Sequence, residues 1–118
     1  MSQKKNPLDV VYDVAVKSPL DKAAKISSII GTDVYLKRED VQEVHSFKIR
    51  GDNNKIATRS DEEKKCGVIA ASAGNHAQGV AYSAKKLNIE ATIVMPKTTP
   101  SIKVDAVRGY GAKVVLFS

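Results

Sequence analysis

The sequence predicts an α/β protein in which a parallel sheet is flanked by helices. Short apolar runs of strand length alternate with longer segments whose apolar residues recur at helical spacing. In the second half of the chain the order is strand, helix, strand, helix, strand, and parallel strands require such crossovers. We therefore expect a single parallel sheet there, covered by the intervening helices.

The first sixty residues predict one strand and one helix. Residues 33–38 alternate between apolar and polar side chains, as in a half-buried strand. Residues 46–57 are predicted to form a helix, with Gly51 as its weak point. This half shows no second clear strand, so we expect its strand to have no sheet of its own to join.

The second half begins with a helix start signal. Ser60 and Glu63 have the spacing of a capping box, in which each side chain bonds the other's backbone amide. The short helix that they open is expected to end at Gly67. Val68–Ala71 is a continuous apolar run, typical of a strand covered on both faces. Residues 75–87 then carry apolar side chains at helical spacing and predict the next helix.

The last three elements complete the alternation. Residues 91–95 are an apolar run that ends at Pro96 and predict a buried strand. Pro100 suits the first turn of a helix over residues 101–108, and Lys113–Phe117 predicts a further strand. Because nothing follows that strand, we expect the chain to be a piece of something larger.

Composition and charge exclude several classes of protein. The 19 Lys and Arg residues give a net charge of +6, but they are scattered, and only 5% of residues are aromatic. That is too few for the stacking platforms of a nucleic-acid groove, whereas an anionic small ligand fits the charge equally well. No apolar run approaches the roughly 20 residues that cross a bilayer.

The same composition indicates the compartment. Residues 1–7 have no apolar stretch of the kind found in a secretory signal. Cys66 is the one cysteine, which excludes an internal disulfide and a thiolate-rich metal site. We therefore expect a cytoplasmic protein without a bound metal.

A lysine at the start of the first predicted helix is a candidate for covalent chemistry. Lys48 follows Phe47 and precedes an apolar residue, so it can be held out of bulk water. Desolvation and the nearby cation Arg50 would then favour its neutral, nucleophilic amine. Phe47 can pack against an aromatic cofactor ring. The alternative is an ordinary solvated lysine, which the neighbouring residues do not exclude.

A second candidate segment is the asparagine loop, residues 72–79, with the sequence Ser-Ala-Gly-Asn-His-Ala-Gln-Gly. It lies between a predicted strand and helix, at the sheet edge where α/β proteins bind ligands. The amides of Gly74, Asn75 and His76 can bind phosphate or a carboxylate, and the Asn75 side chain can bond a phenolic oxygen. The glycine spacing matches neither a dinucleotide motif nor a P-loop. A tight turn that needs Gly74 and Gly79 for packing is the alternative.

Three strings of residues together carry a family resemblance. They are Leu-Lys-Arg-Glu-Asp at 36–40, Ser-Phe-Lys-Ile-Arg-Gly at 46–51 and Ser-Ala-Gly-Asn-His-Ala-Gln-Gly-Val-Ala at 72–81. The sequence resembles the pyridoxal-phosphate enzymes of the tryptophan-synthase-β fold type (fold type II), above all the threonine ammonia-lyases. The likeness extends from residues 18–20 to residues 102–109, and it favours the biosynthetic, isoleucine-pathway form over the catabolic one.

The resemblance implies a cofactor, pyridoxal 5′-phosphate, and residues that bind it. Lys48 matches the lysine that bonds covalently to the cofactor, Asn75 matches the asparagine that binds its 3′-oxygen, and Phe47 matches a residue near its ring. The loop that holds the substrate carboxylate is matched by Ser72, Ala73, Gly74, Asn75 and His76. The implied reaction is β-elimination of L-threonine or L-serine to 2-oxobutanoate or pyruvate and ammonia. In the implied mechanism the substrate displaces Lys48 from the cofactor, the freed amine takes the α-proton, and hydroxide then leaves.

The resemblance also implies an organisation into domains. Residues 1–60 correspond to the amino-terminal part of the large cofactor domain, with the lysine helix, and residues 61–118 to most of the small parallel α/β domain. The full-length enzyme is expected to be a homo-oligomer that acts on a small amino acid, without nucleic-acid or membrane partners.

Two departures from the family pattern leave alternatives open. Asp52 puts a charge where the family usually has a small apolar residue, and the sequence indicates no compensating partner for it. The family's glycine-rich phosphate loop and the serine at the pyridine nitrogen have no counterpart between Gly79 and Ser118. A serine racemase-like enzyme, an inactive remnant and a binding module therefore remain alternatives. A cysteine synthase is disfavoured, because its Thr-Ser-Gly-Asn-Thr-Gly loop does not occur.

Overall fold

The computed structural model describes residues 6–118, and its first half is built from short elements. These elements are helix α1 (Pro7–Tyr12), strand β1 (Leu20–Lys22), helix α2 (Ala24–Ile30) and strand β2 (Tyr35–Lys37). Residues 1–5, which are part of the segment used in the argument against a secretory signal, lie outside the described part of the chain. None of the helices within residues 6–118 is long and apolar enough to cross a bilayer.

The two short strands correct the expectation for the first sixty residues. β1 and β2 pair antiparallel, with Leu20 opposite Lys37, so this half has a small sheet of its own. The expectation of a lone, half-buried strand at residues 33–38 was wrong, because all three residues of β2 are exposed. The residues of β1 show no alternation of apolar and polar side chains, so their sequence does not predict a strand. Pairing with β2 determines their extended conformation.

Two helices follow, and both agree with the prediction to within two residues. α3 (Lys48–Ala57) begins at the candidate lysine. α4 (Asp61–Lys65) begins with the predicted capping box, in which the Ser60 oxygen accepts from the Glu63 amide and the Glu63 carboxylate accepts from the Ser60 amide. Gly67 follows with a positive φ of 76°, a conformation that glycine adopts without strain, and ends this segment.

The second half forms the predicted parallel sheet. Its strands β3 (Val68–Ala71), β4 (Ala91–Pro96) and β5 (Lys113–Phe117) lie in the order β3-β4-β5. Helix α5 (Asn75–Lys86) connects the first two strands and α6 (Ser101–Gly109) the last two. The α/β class, the alternation of strands and helices along the chain and the parallel pairing of the strands are therefore confirmed.

One prediction about this sheet was wrong. β3 is an edge strand, and its residues alternate between half-buried and exposed, with 73% of Ile69 exposed. The expectation that β3 is covered on both faces does not hold, because an apolar run does not distinguish a central strand from an edge strand. In contrast, Ile93 and Met95 on the central strand β4 are fully buried.

The main core lies between α5, α6 and the sheet. Alanines on the inner face of α5 allow the close approach of neighbouring elements, and α3 packs against the same helix. The core consists of Ile56, Ala77, Val80, Ala81, Ala84, Ala91, Ile93, Met95, Val104, Val107 and Ala112. The packing of α3 on α5 determines the site described next. The proposed domain division at residue 60 remains a prediction.

Candidate functional site

Lys48 lies at the first position of α3, with its side chain exposed. The backbone amide of Lys48 donates to the hydroxyl of Ser46 at 3.2 Å. The Lys48 ammonium lies 5.6 Å from the ring centroid of Phe47, which is itself 61% exposed. The expectation that Lys48 is held out of bulk water is therefore wrong for the described chain. Both side chains face solvent and are accessible to a ligand.

Arg50 has a different role from the one expected. Its guanidinium donates from Nε and Nη2 to the two carboxylate oxygens of Glu39, at 2.9 Å each. The positive charge is therefore compensated by Glu39. The expectation that Arg50 acts on Lys48 has no support, because a bidentate carboxylate partner accounts for the position of the guanidinium.

The asparagine loop joins the carboxyl end of β3 to the first turn of α5, as predicted. The amide of Gly74 donates to the hydroxyl of Ser72 at 3.3 Å, which closes the turn. Gly74 is the residue before the helix, and no side chain caps the helix there. The first amides of an uncapped helix have no intrahelical partner and are available to an anion.

The side chains of the loop face outward at this uncapped helix start. Asn75 and His76 are exposed, while Ser72 and Ala73 are half-buried. Among residues 6–118 no hydrogen bond is formed by the side-chain amide of Asn75, so both its donor and its acceptor are available to a ligand. The predicted loop residues are thus contiguous at one end of the sheet.

Asp52 connects the two candidate segments, the helix of Lys48 and the asparagine loop. The sequence did not predict this connection. Oδ1 of Asp52 lies at hydrogen-bond distance, 2.8 Å, from Nδ1 of His76, across 24 residues of sequence. His76 is therefore the compensating partner that the sequence did not indicate. Lys48 and Asp52 are four residues apart on α3, and residues at this spacing share a face of a helix. Asp52 therefore brings the face that carries Lys48 against the first turn of α5.

Burial and the neighbouring positive groups shift the pKa of the Asp52 carboxyl in opposite directions. Asp52 is 8% exposed, and burial raises the pKa of its carboxyl, while His76 and Lys48 oppose the rise. One signal in the sequence could have identified the residue. It is a charge where a small apolar residue is expected, because a buried charge needs a partner nearby.

The donors and acceptors at this site suit pyridoxal phosphate. An accessible primary amine at Lys48 can bond covalently to an aldehyde. The free amide of Asn75 matches a phenolic oxygen, and the uncapped start of α5 matches a carboxylate. Lys48 lies on α3 and the asparagine loop begins α5, and these two helices are joined by the Asp52–His76 hydrogen bond.

Comparison with known proteins also indicates a pyridoxal-phosphate enzyme. The family model described as "Pyridoxal-phosphate dependent enzyme" matches residues 11–118. The chain is 63% identical over 106 residues to the biosynthetic L-threonine dehydratase of Pasteurella multocida, a match that covers 90% of this chain and 21% of that protein. The chain thus spans about a fifth of the length of this curated relative.

Solved structures are similar over most of the chain. The processed form of threonine deaminase isoform 2 from Solanum lycopersicum matches with a TM-score of 0.90 at 56% identity, over 95% of this chain and 33% of that one. Serine racemase from Dictyostelium discoideum matches with a TM-score of 0.88 at 34% identity, over 93% of this chain and 36% of that one.

Proposed function

The chain belongs to the family of pyridoxal-phosphate-dependent enzymes, and on this premise we propose that it carries the cofactor lysine and the substrate loop of a threonine ammonia-lyase. The observation that supports this most is the packing of α3 on α5, which places the helix of Lys48 beside the helix that the asparagine loop begins. The 63% identity to a biosynthetic threonine dehydratase favours this reaction among those of the family.

Each residue has a defined part in the proposal. Lys48 holds the cofactor through Nζ, Asn75 bonds its phenolic oxygen, and Phe47 packs near its ring. The substrate carboxylate binds to the loop formed by Ser72, Ala73, Gly74, Asn75 and His76. When bound, the cofactor supplies an electron sink for the negative charge that develops at the substrate Cα. Once the substrate amine has displaced Nζ from the cofactor, the freed amine of Lys48 would remove the proton from that carbon.

The wider assignment follows the same relatives. The substrates are L-threonine and L-serine, and the products are 2-oxobutanoate or pyruvate together with ammonia. A cytoplasmic location and a homo-oligomeric state of the full-length enzyme are part of the proposal. A serine racemase-like activity is the second candidate, because a serine racemase shares the fold at 34% identity.

Covalent trapping tests the proposed role of Lys48. The chain is incubated with pyridoxal phosphate, reduced with borohydride and digested, and the modified lysines are identified by mass spectrometry. We expect several-fold more label at Lys48 than at Lys55, an exposed lysine on the same helix. Lys48→Ala should abolish the main label, whereas Lys55→Ala should leave it unchanged.

Two further measurements separate the alternatives. Asn75→Ala should lower the label at Lys48, while Gln78→Ala, one turn further along α5, should not. Label spread evenly over exposed lysines, or its absence from Lys48, would favour a non-catalytic remnant or binding module. If Lys48 is labelled, release of 2-oxobutanoate from L-threonine supports the lyase, and D-serine formed from L-serine supports the racemase.

A further inference from the structure

The Asp52–His76 contact places a buried acid against an exposed base. Asp52 has 9% of its side chain exposed, whereas His76 has 47%. Their hydrogen bond joins Oδ1 of the carboxylate to Nδ1 of the imidazole at 2.8 Å. One edge of the imidazole is therefore held by the protein, while much of the ring remains accessible from solvent.

The carboxylate has little freedom to move away from the imidazole. Oδ2 of Asp52 is buried without a hydrogen-bond partner among the described residues. Gly79 of α5 lies directly against that oxygen, and a methyl group added at Gly79 would overlap it. Packing thus fixes the carboxylate from one side, and the hydrogen bond to His76 fixes it from the other.

This geometry determines which imidazole nitrogen carries hydrogen. When the Asp52 carboxyl is ionised it can only accept hydrogen bonds, so Nδ1 of His76 is then the donor. In a neutral imidazole the other nitrogen, Nε2, is then an acceptor. A free histidine is under no such constraint.

We propose that Asp52 is a positioning residue that holds His76 in the Nδ1–H form and leaves Nε2 as an acceptor at the start of α5. The ligand group that contacts Nε2 is inferred from the proposed function. A hydrogen-bond acceptor at Nε2 suits the ammonium or hydroxyl group of a hydroxy amino acid better than its carboxylate. The carboxylate of the substrate is then bound by the backbone amides of the asparagine loop.

Nitrogen NMR of the two histidines tests the proposal without any cofactor. Long-range proton–nitrogen spectra of the 15N-labelled chain distinguish protonated from unprotonated ring nitrogens. His45 is an internal control, because its Nδ1 contacts the carbonyl of Asp40 at 2.9 Å and does not depend on Asp52. A His45→Gln variant assigns the signals.

The expected result at neutral pH is an Nδ1–H imidazole for His76. Asp52→Ala should shift its nitrogen signals toward the Nε2–H form that free histidine favours, with His45 unchanged. Asp52→Asn should retain the Nδ1–H form, because an amide oxygen can accept the same hydrogen bond. Circular dichroism verifies that both variants are folded.

The proposal can be overturned in two ways. An Nε2–H imidazole at His76 in the unmodified chain would contradict it directly, even if Asp52→Ala does not fold. A folded Asp52→Ala variant with unchanged His76 signals would show that Asp52 does not control the ring. Failure of pyridoxal phosphate to label Lys48 would contradict the proposed function but leave this result as it stands.

Discussion

Arg50 binds the carboxylate of Glu39 with two parallel hydrogen bonds of 2.9 Å, one from Nε and one from Nη2. Both side chains are largely buried, with 25% and 17% of their surfaces exposed. The same guanidinium donates to the carbonyl of Val16 at 3.3 Å. Arg50 therefore ties the first turn of α3, which begins with Lys48, to two segments that precede it.

We expect Arg50→Lys to destabilise the protein although the charge is kept. An ammonium cannot reproduce the two parallel bonds of a guanidinium, and a hydrogen bond to a charged group contributes about 1.5–3 kcal/mol. Urea denaturation should show a loss of this size. Arg38→Lys is the matched control, because the partners of Arg38, Asp21 and Asp40, are at the surface. Equal losses in the two variants would contradict the structural role given to Arg50.

A second prediction concerns stability in acid. The hydrogen bonds from Arg50, together with those from Ser18 and Gln42, lower the pKa of Glu39 from 4.5 to about 2. The unfolded chain takes up a proton near pH 4.5, before the folded chain does. The stabilisation by ionised Glu39 is therefore fully present above that pH and is lost as the pH falls toward 2.

The free energy of unfolding, measured by urea titration between pH 5 and pH 2, tests this directly. The unmodified chain should lose stability more steeply than Glu39→Gln, which has no carboxyl to titrate at that position. Glu43→Gln is the control, since Glu43 is exposed, and it should keep the steep dependence. Parallel curves for the unmodified chain and Glu39→Gln would show that Glu39 is not the group responsible.

Much of the fold could be predicted because its signals are local. The capping box at Ser60, the strand Lys113–Phe117 and the helix that begins at Asn75 depend on residues within a few positions of one another. Strand β1 could not be predicted, because three exposed residues become a strand only by pairing with β2. Local periodicity does not contain that information.

The same distinction between local and tertiary signals applies to the candidate site. Lys48 and the loop around Asn75 are predicted as site residues from their motifs alone. The exposure of Lys48 and the pairing of Asp52 with His76 depend on how α3 packs against α5, which brings residues 24 positions apart into contact. The Arg50–Glu39 pair likewise follows from tertiary contacts and not from sequence spacing.

A third prediction concerns the helix that leads into β3. The Ser60 oxygen accepts from the Glu63 amide at 3.2 Å, and loss of such a cap costs about 1 kcal/mol. Ser60→Ala should lower the free energy of unfolding by that amount and speed amide hydrogen exchange in α4. Ser60→Asp should remain near the unmodified value, because aspartate also caps a helix well. Identical exchange rates in α4 for the alanine and aspartate variants would refute the cap's contribution.

The last prediction concerns the contact between Gly79 and Asp52. A Cβ at position 79 would overlap Oδ2 of Asp52 and lie 3.1 Å from its Cγ. Overpacking of this kind costs about 1–3 kcal/mol, so Gly79→Ala should destabilise the protein. Gly51→Ala is the matched control, because Gly51 is on α3 and a Cβ there meets nothing within 4 Å. It should stabilise the helix by about 0.5–1 kcal/mol.

The cause of the Gly79 effect can be isolated with a second substitution. In an Asp52→Ala background the carboxylate is gone, so the alanine at position 79 has room and should cost much less. The two substitutions should then be non-additive, because the residues are in contact. Losses that add to within about 0.5 kcal/mol would mean that Gly79 is needed for another reason. Non-additivity would establish that Asp52 and Gly79 form the crossing point of α3 and α5, on which the placement of His76 depends.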